Sequence, residues 1–135
     1  MTPASALRSA WRIVGWLGIT LLLWLSLTPS PPQVVTFPHA DKVQHALAYA
    51  LLMLWFAQLR LTRPERAVTA GALLALGVTI EAMQGWGGVR DFSVADIAGD
   101  VLGIALGWWA APPRGPALLA FAQGLVERAV QRSAP

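Results

Sequence analysis

The chain has 135 residues, of which 56% are hydrophobic and only 13% are charged, and its formal net charge is +3. Soluble domains are about 45–50% apolar and about 25% charged, so this composition predicts an integral membrane protein with one membrane domain. In such a chain a basic excess reflects membrane orientation rather than a nucleic-acid partner. The absence of cysteine excludes disulfides, thiolate catalysis and cysteine-ligated metals.

Four apolar runs predict four transmembrane helices within a membrane domain over residues 1–112. Each run is at the short end of the ~20 residues that a ~30 Å hydrocarbon core requires. The runs cover residues 11–27, 43–61, 67–83 and 94–111. The first is expected to be a retained helix, because its exit lacks the small-x-small pattern of signal-peptide cleavage. Several prolines follow it and predict an extended connector over residues 28–38.

Local signals mark the ends of the other runs. Asp41 is a candidate N-cap for the second helix, and His45 and Tyr49 follow it at helical spacing, so the three share a face. A glycine-rich segment over residues 85–88 predicts the end of the third run. Ser93 is a candidate cap for the fourth helix. Glycines at every fourth position of that helix predict close packing with a neighbour; they are Gly99, Gly103 and Gly107.

The tail over residues 113–135 predicts an amphipathic helix on the membrane surface, because apolar and polar side chains occupy opposite faces from about residue 117 to 131.

Basic residues predict the orientation of the protein in the membrane. The termini, the tail and the turn over residues 60–66 hold Arg8, Arg12, Arg60, Arg63, Arg66, Arg114, Arg128 and Arg132. The other side holds only Lys42 and Arg90, so both termini are predicted to be cytoplasmic.

This topology brings polar residues of three helices to the outer end of the bundle, where they predict an outward-facing pocket. They are Asp41, Lys42, His45, Glu81, Gln84, Arg90, Asp91, Asp96 and Asp100. A charge in hydrocarbon costs about 2.5–3.5 kcal/mol on insertion scales, so such residues suggest a function. Crowded carboxylates raise one another's proton affinity, and histidine exchanges a proton near neutral pH. We therefore predict that His45, Glu81 and Asp96 carry acid–base catalysis.

The other six residues are predicted to bind or orient a substrate. Arg90, and less favourably Lys42, could hold a phosphate or carboxylate, while Asp41 or a carboxylate of a neighbouring helix could orient His45. The same residues could instead serve only to hold the helices together. No metal or cofactor is assigned, because carboxylates with His39 and His45 are a weak metal signal and no P-loop or paired-histidine motif is present.

The spacing of these residues is similar to that of a known family. Asp41-Lys42-x-x-His45-x-x-x-Tyr49, Glu81-x-x-Gln84, Arg90-Asp91, Asp96 and Gly103 resemble the VanZ-like family of small bacterial membrane proteins, over about residues 40–110. The resemblance implies a four-helix polytopic protein in which these residues are the characteristic set. The family is named for a member associated with resistance to the glycopeptide teicoplanin. It usually has asparagine where this chain has Asp100, which adds a second acid to the fourth helix.

Together these features predict a multi-pass protein of the cytoplasmic membrane. It is expected to bind or modify a lipid head group or a lipid-linked cell-wall precursor at the outer leaflet. The alternative is a non-enzymatic accessory or scaffolding protein. Proton or ion transport is less favoured, because polar groups occupy only the outer half of the predicted bundle. Whether the protein is an enzyme, and which protein partner it has, stay open at this stage.

Overall fold

A computed structural model describes residues 2–29, 40–59, 62–88 and 91–133, and over these residues the chain is helical without strands. The helices are α1 (Pro3–Leu27), α2 (Ala40–Ala57), α3 (Arg63–Gly87), α4 (Val94–Ala110) and α5 (Leu118–Ser133). The predicted all-α class is therefore confirmed, and each predicted span and the tail correspond to one helix. Most of the predicted connector over residues 28–38 lies outside the described residues.

Helices α1 and α3 begin earlier than predicted because capping groups precede their apolar runs. Thr2 caps α1 by accepting a hydrogen bond from the backbone nitrogen of Ser5, with proline at the start of the helix. Thr62 and Glu65 form a capping box, in which each side chain accepts from the backbone nitrogen of the other. Both helices therefore reach 25 residues.

The other ends also differ from the sequence-based boundaries. The predicted break over residues 85–88 is wrong for its first three residues, because α3 continues through Gly87 and stops at Gly88, whose φ of 64° is left-handed. Asp41 lies in the first turn of α2, not at its N-cap. Helix α2 ends at Ala57 and not at residue 61. Directly after it, the backbone N–H of Gln58 donates to the carbonyl of Trp55, three residues back, so the α-helical pattern of hydrogen bonds is broken there.

Two helices, α1 and α3, are long and apolar enough to cross a membrane. Helices α2 and α4 are shorter, with 18 and 17 residues. Apolar side chains are exposed along all four helices, while four polar side chains at one end are buried. A soluble protein normally has the opposite distribution, so this arrangement supports association with a membrane.

The tightest helix pair is α2 with α4, which pack through the predicted glycine seam. A Cβ atom added at Gly103 or Gly107 would overlap the backbone carbonyl oxygen of Ala46 or Ala50, and one at Gly99 would lie 3.2 Å from that of Lys42. The contacts advance by four residues on both helices, so α2 and α4 run parallel in close backbone contact. This places the first turns of both helices side by side.

Helix α1 is attached to the far end of α2 by a pair of tryptophans. The rings of Trp11 and Trp55 stack at 3.9 Å between centroids, and each indole N–H donates to the backbone carbonyl of the other residue. Helix α5 packs on α1, where Gln123 Nε2 donates to the Ala4 carbonyl and Leu119 is buried. The tail is thus the amphipathic helix that the sequence predicts, and one of its faces contacts protein.

Candidate functional site

Four buried polar side chains of α3 and α4 form the floor of the site. Glu81, Gln84 and Asp100 are each 1% exposed and Asp96 is 5% exposed. Buried carboxylates require partners, because an unpaired charge is very costly in an apolar interior. The partners of these residues therefore define the site.

His45 is paired with Asp100. Its Nδ1 lies 3.1 Å from Oδ1 of Asp100, and the histidine side chain is 12% exposed. Close packing of α2 at Gly99 brings the two side chains together, because a larger residue there would push the helices apart. In the neutral imidazole tautomer that carries its proton on Nδ1, this nitrogen donates to Asp100 and Nε2 keeps a lone pair. The sequence left two candidates to orient His45, Asp41 and a carboxylate of a neighbouring helix, and the structure gives this contact to Asp100 of α4.

Lys42 connects two further aspartates, Asp96 and Asp41. Its Nζ lies 3.0 Å from Oδ1 of Asp96 and 3.2 Å from Oδ2 of Asp41. These two contacts hold the amine of Lys42 between the carboxyl groups of Asp96 and Asp41. The lysine side chain is 35% exposed and lies at the more accessible edge of the cluster.

Glu81 joins the end of α3 to the start of α4. Its Oε2 accepts the backbone N–H of Ser93 at 2.9 Å, and Ser93 caps α4 by accepting from the backbone nitrogen of Asp96 at 3.2 Å. The cap is the one that the sequence predicts. The second oxygen of Glu81, Oε1, is buried and has no hydrogen-bond partner among the described residues.

The three residues predicted to carry catalysis converge. One ligand atom each of His45, Glu81 and Asp96 lies within 4.8 Å of the others. They come from three helices, so the parallel packing of α2 and α4 and the Ser93 contact to α3 produce this geometry. An imidazole beside two carboxylates can exchange protons or bind a cation.

The other predicted residues are placed differently. Gln84 donates to the carbonyl of Ser26 at 2.6 Å and so ties α3 to the end of α1, a packing role. Asp91 is exposed and forms no hydrogen bond or ion pair with another residue in the described part of the chain. Arg90, predicted to anchor an anionic group, lies outside the described residues, and so does His39.

Two further residues lie beneath the cluster: Tyr49, which the sequence places on the face of His45, and Gly77, which was not predicted. A Cβ atom at Gly77 would overlap Oδ2 of Asp100 and lie 3.0 Å from the hydroxyl of Tyr49. Both of these oxygens are buried without a partner among the described residues. Gly77 precedes Glu81 by one helical turn, so the shared face of α3 was a signal that could have identified it.

No protein-family model, curated protein or solved structure matches this chain.

Proposed function

We propose that the protein is a multi-pass protein of a bacterial cytoplasmic membrane that binds and modifies an amphipathic envelope molecule. The substrate class is a lipid head group or a lipid-linked cell-wall precursor, reached from the outer leaflet. The convergence of His45, Glu81 and Asp96 at one end of an apolar bundle carries the proposal. Ionisable groups at such positions are expensive, and the commonest reason to retain them is function.

The chemistry proposed for the cluster is proton transfer. His45, oriented by Asp100, uses Nε2 to accept a proton from water or a substrate hydroxyl. Glu81 offers a second proton acceptor in its unpartnered Oε1. Lys42 supplies a positive charge at the accessible edge, which suits an anionic head group. Asp96 keeps this ammonium group in place.

The membrane arrangement is part of the proposal. Four spans place α2 and α4 across the bilayer beside the two longer helices, and the lengths of α2 and α4 suit ~26–27 Å of hydrocarbon at ~1.5 Å per residue. The basic residues place both termini in the cytoplasm and the polar cluster at the outer end. We also propose that the chain belongs to the VanZ-like family, which the residues around Asp41, Glu81 and Asp96 resemble, and that it has a role in glycopeptide resistance.

The test compares envelope lipids and cell-wall precursors by mass spectrometry in cells that express the wild type, Glu81→Gln or Glu127→Gln at matched protein levels. Glu127 is exposed on α5, so its variant makes the same chemical change far from the cluster. We expect the amount of one lipid or precursor to be the same in cells that express the wild type or Glu127→Gln, and to differ in cells that express Glu81→Gln. Identical profiles for all three, with folded protein in each, would refute the catalytic proposal.

One observation favours a second function, that of an accessory or scaffolding protein. Three of the polar contacts also join two helices: His45 with Asp100 and Lys42 with Asp96 connect α2 to α4, and Glu81 connects α3 to the start of α4. Under this alternative, substitutions lower the amount of folded protein in proportion to the loss of function. A variant that accumulates normally but has lost function contradicts it.

A further inference from the structure

We propose that His45, Glu81 and Asp96 bind a divalent transition-metal cation. One ligand atom of each lies within 4.8 Å of the others. Bonds of about 2.0–2.2 Å to one cation hold two ligand atoms at most about 4.4 Å apart, so a side-chain movement of a few tenths of an ångström would let a single cation reach all three. The three ligands come from α2, α3 and α4, so the site is formed by the packing of the bundle. The proposal goes beyond the proposed function and does not depend on it, because with the cation bound Nε2 of His45 and Oε1 of Glu81 would serve as its ligands instead of as proton acceptors.

The second observation is an unused buried ligand atom. Glu81 is 1% exposed, its Oε2 is bonded to the Ser93 backbone, and its Oε1 has no hydrogen-bond partner in the described ranges. An unpartnered buried carboxylate oxygen is costly unless a proton or a cation satisfies it. A cation between Glu81, Asp96 and His45 would satisfy it.

The charge balance of the cluster points the same way. Four acidic side chains, those of the buried Glu81, Asp96 and Asp100 and the partly exposed Asp41, outnumber the two basic ones, of which Lys42 contacts Asp41 and Asp96 and His45 contacts Asp100. A dication would offset most of this excess negative charge. The ion pair with Lys42 occupies Oδ1 of Asp96 and leaves Oδ2 as a possible ligand.

The ligand types narrow the choice of metal. Imidazole favours Zn²⁺ and related transition metals over Mg²⁺ and Ca²⁺, and carboxylates also suit Mn²⁺. The hydrogen bond between Nδ1 of His45 and Asp100 leaves Nε2 free to bind a metal. A carboxylate behind a metal-binding histidine is the usual arrangement, because it fixes the ring and makes the nitrogen more basic. Asp100 would therefore be a positioning residue.

The experiment is a Mn²⁺ titration of purified, chelator-stripped protein in detergent, with free Mn²⁺ followed by electron paramagnetic resonance and Zn²⁺ added as competitor. We expect one saturable site per chain in the wild type, displaced by Zn²⁺. Glu81→Gln and His45→Gln should each weaken binding at least about tenfold, within the range known for altered metal sites. Glu127→Gln should bind as the wild type does. Elution volume and melting temperature identify any variant that does not fold.

Absence of saturable binding in the folded wild type would overturn the metal site. So would equal binding by the wild type and both folded cluster variants, which would assign the cation to surface carboxylates. The titration contains no envelope substrate, so its outcome is separate from that of the lipid comparison. A protein that binds Mn²⁺ but changes no lipid would support this inference and refute the proposed function.

Discussion

The substitution Gly103→Ala tests how the site is assembled. A Cβ at this position would overlap the carbonyl oxygen of Ala46 and approach two more of its backbone atoms to within 3.0 Å. Because these are backbone atoms, α2 must move as a unit. Overpacking costs about 1–3 kcal/mol, and we expect the upper end here. The higher helix propensity of alanine offsets up to about 1 kcal/mol of this cost, so the free energy of unfolding should fall by about 2 kcal/mol.

Gly71→Ala is the matched control for this change. Gly71 lies inside α3, and a Cβ there would have no neighbour within 4 Å, so the substitution should be neutral or stabilise by up to about 1 kcal/mol. Unfolding of both variants in mixed detergent micelles measures the difference, expected to be about 3 kcal/mol. If Gly103→Ala is as stable as Gly71→Ala, the close packing of α2 and α4 is refuted.

Three further predictions concern the site, the topology and the packing of α1. Glu81→Gln and Asp96→Asn should each abolish activity, and the double variant should lose little more, because residues of one catalytic unit are not additive; additive losses in kinetic assays would contradict a shared site. Single cysteines at Gly87 and Thr62 should label from opposite sides of the membrane with an impermeant reagent, and labelling of both from outside would contradict the four-span topology. Trp55→Ala should destabilise by about 3 kcal/mol by removing the stacked ring and its hydrogen bond, measured by unfolding in micelles; an unchanged stability would show that the stack does not hold α1.

The helix content could be predicted because apolar runs and capping residues are local signals. Each predicted run contains the core of one helix, and Ser93 caps α4 as expected. The ends of the helices could be predicted less well. Apolar runs do not include polar first turns, so they miss the capping box at Thr62 and the start of α1. The glycines near Gly87 predict a break, yet a helix packed against its neighbours tolerates their low helix propensity.

The sequence predicts some of the residues that form the polar cluster, because the depth of a residue along its helix follows from its position in the sequence. Depth alone placed His45, Glu81 and Asp96 at one end of the bundle. Which side chains pair depends on helix rotation and distance, which the sequence does not define. His45 therefore contacts Asp100 rather than Asp41, and Gln84 contacts the backbone of α1 rather than the cluster. The role of Gly77 depends on contacts between three helices.

The central claim is that the buried cluster changes an envelope lipid or lipid-linked precursor. The most direct measurement reconstitutes purified wild type, Glu81→Gln and Glu127→Gln into vesicles of bacterial envelope lipid extract and follows the lipids by mass spectrometry over time. We predict that one lipid species is converted by the wild type and by Glu127→Gln and is left unchanged by Glu81→Gln. Conversion at the same rate by all three proteins, or by none of them when all are folded, would contradict the account.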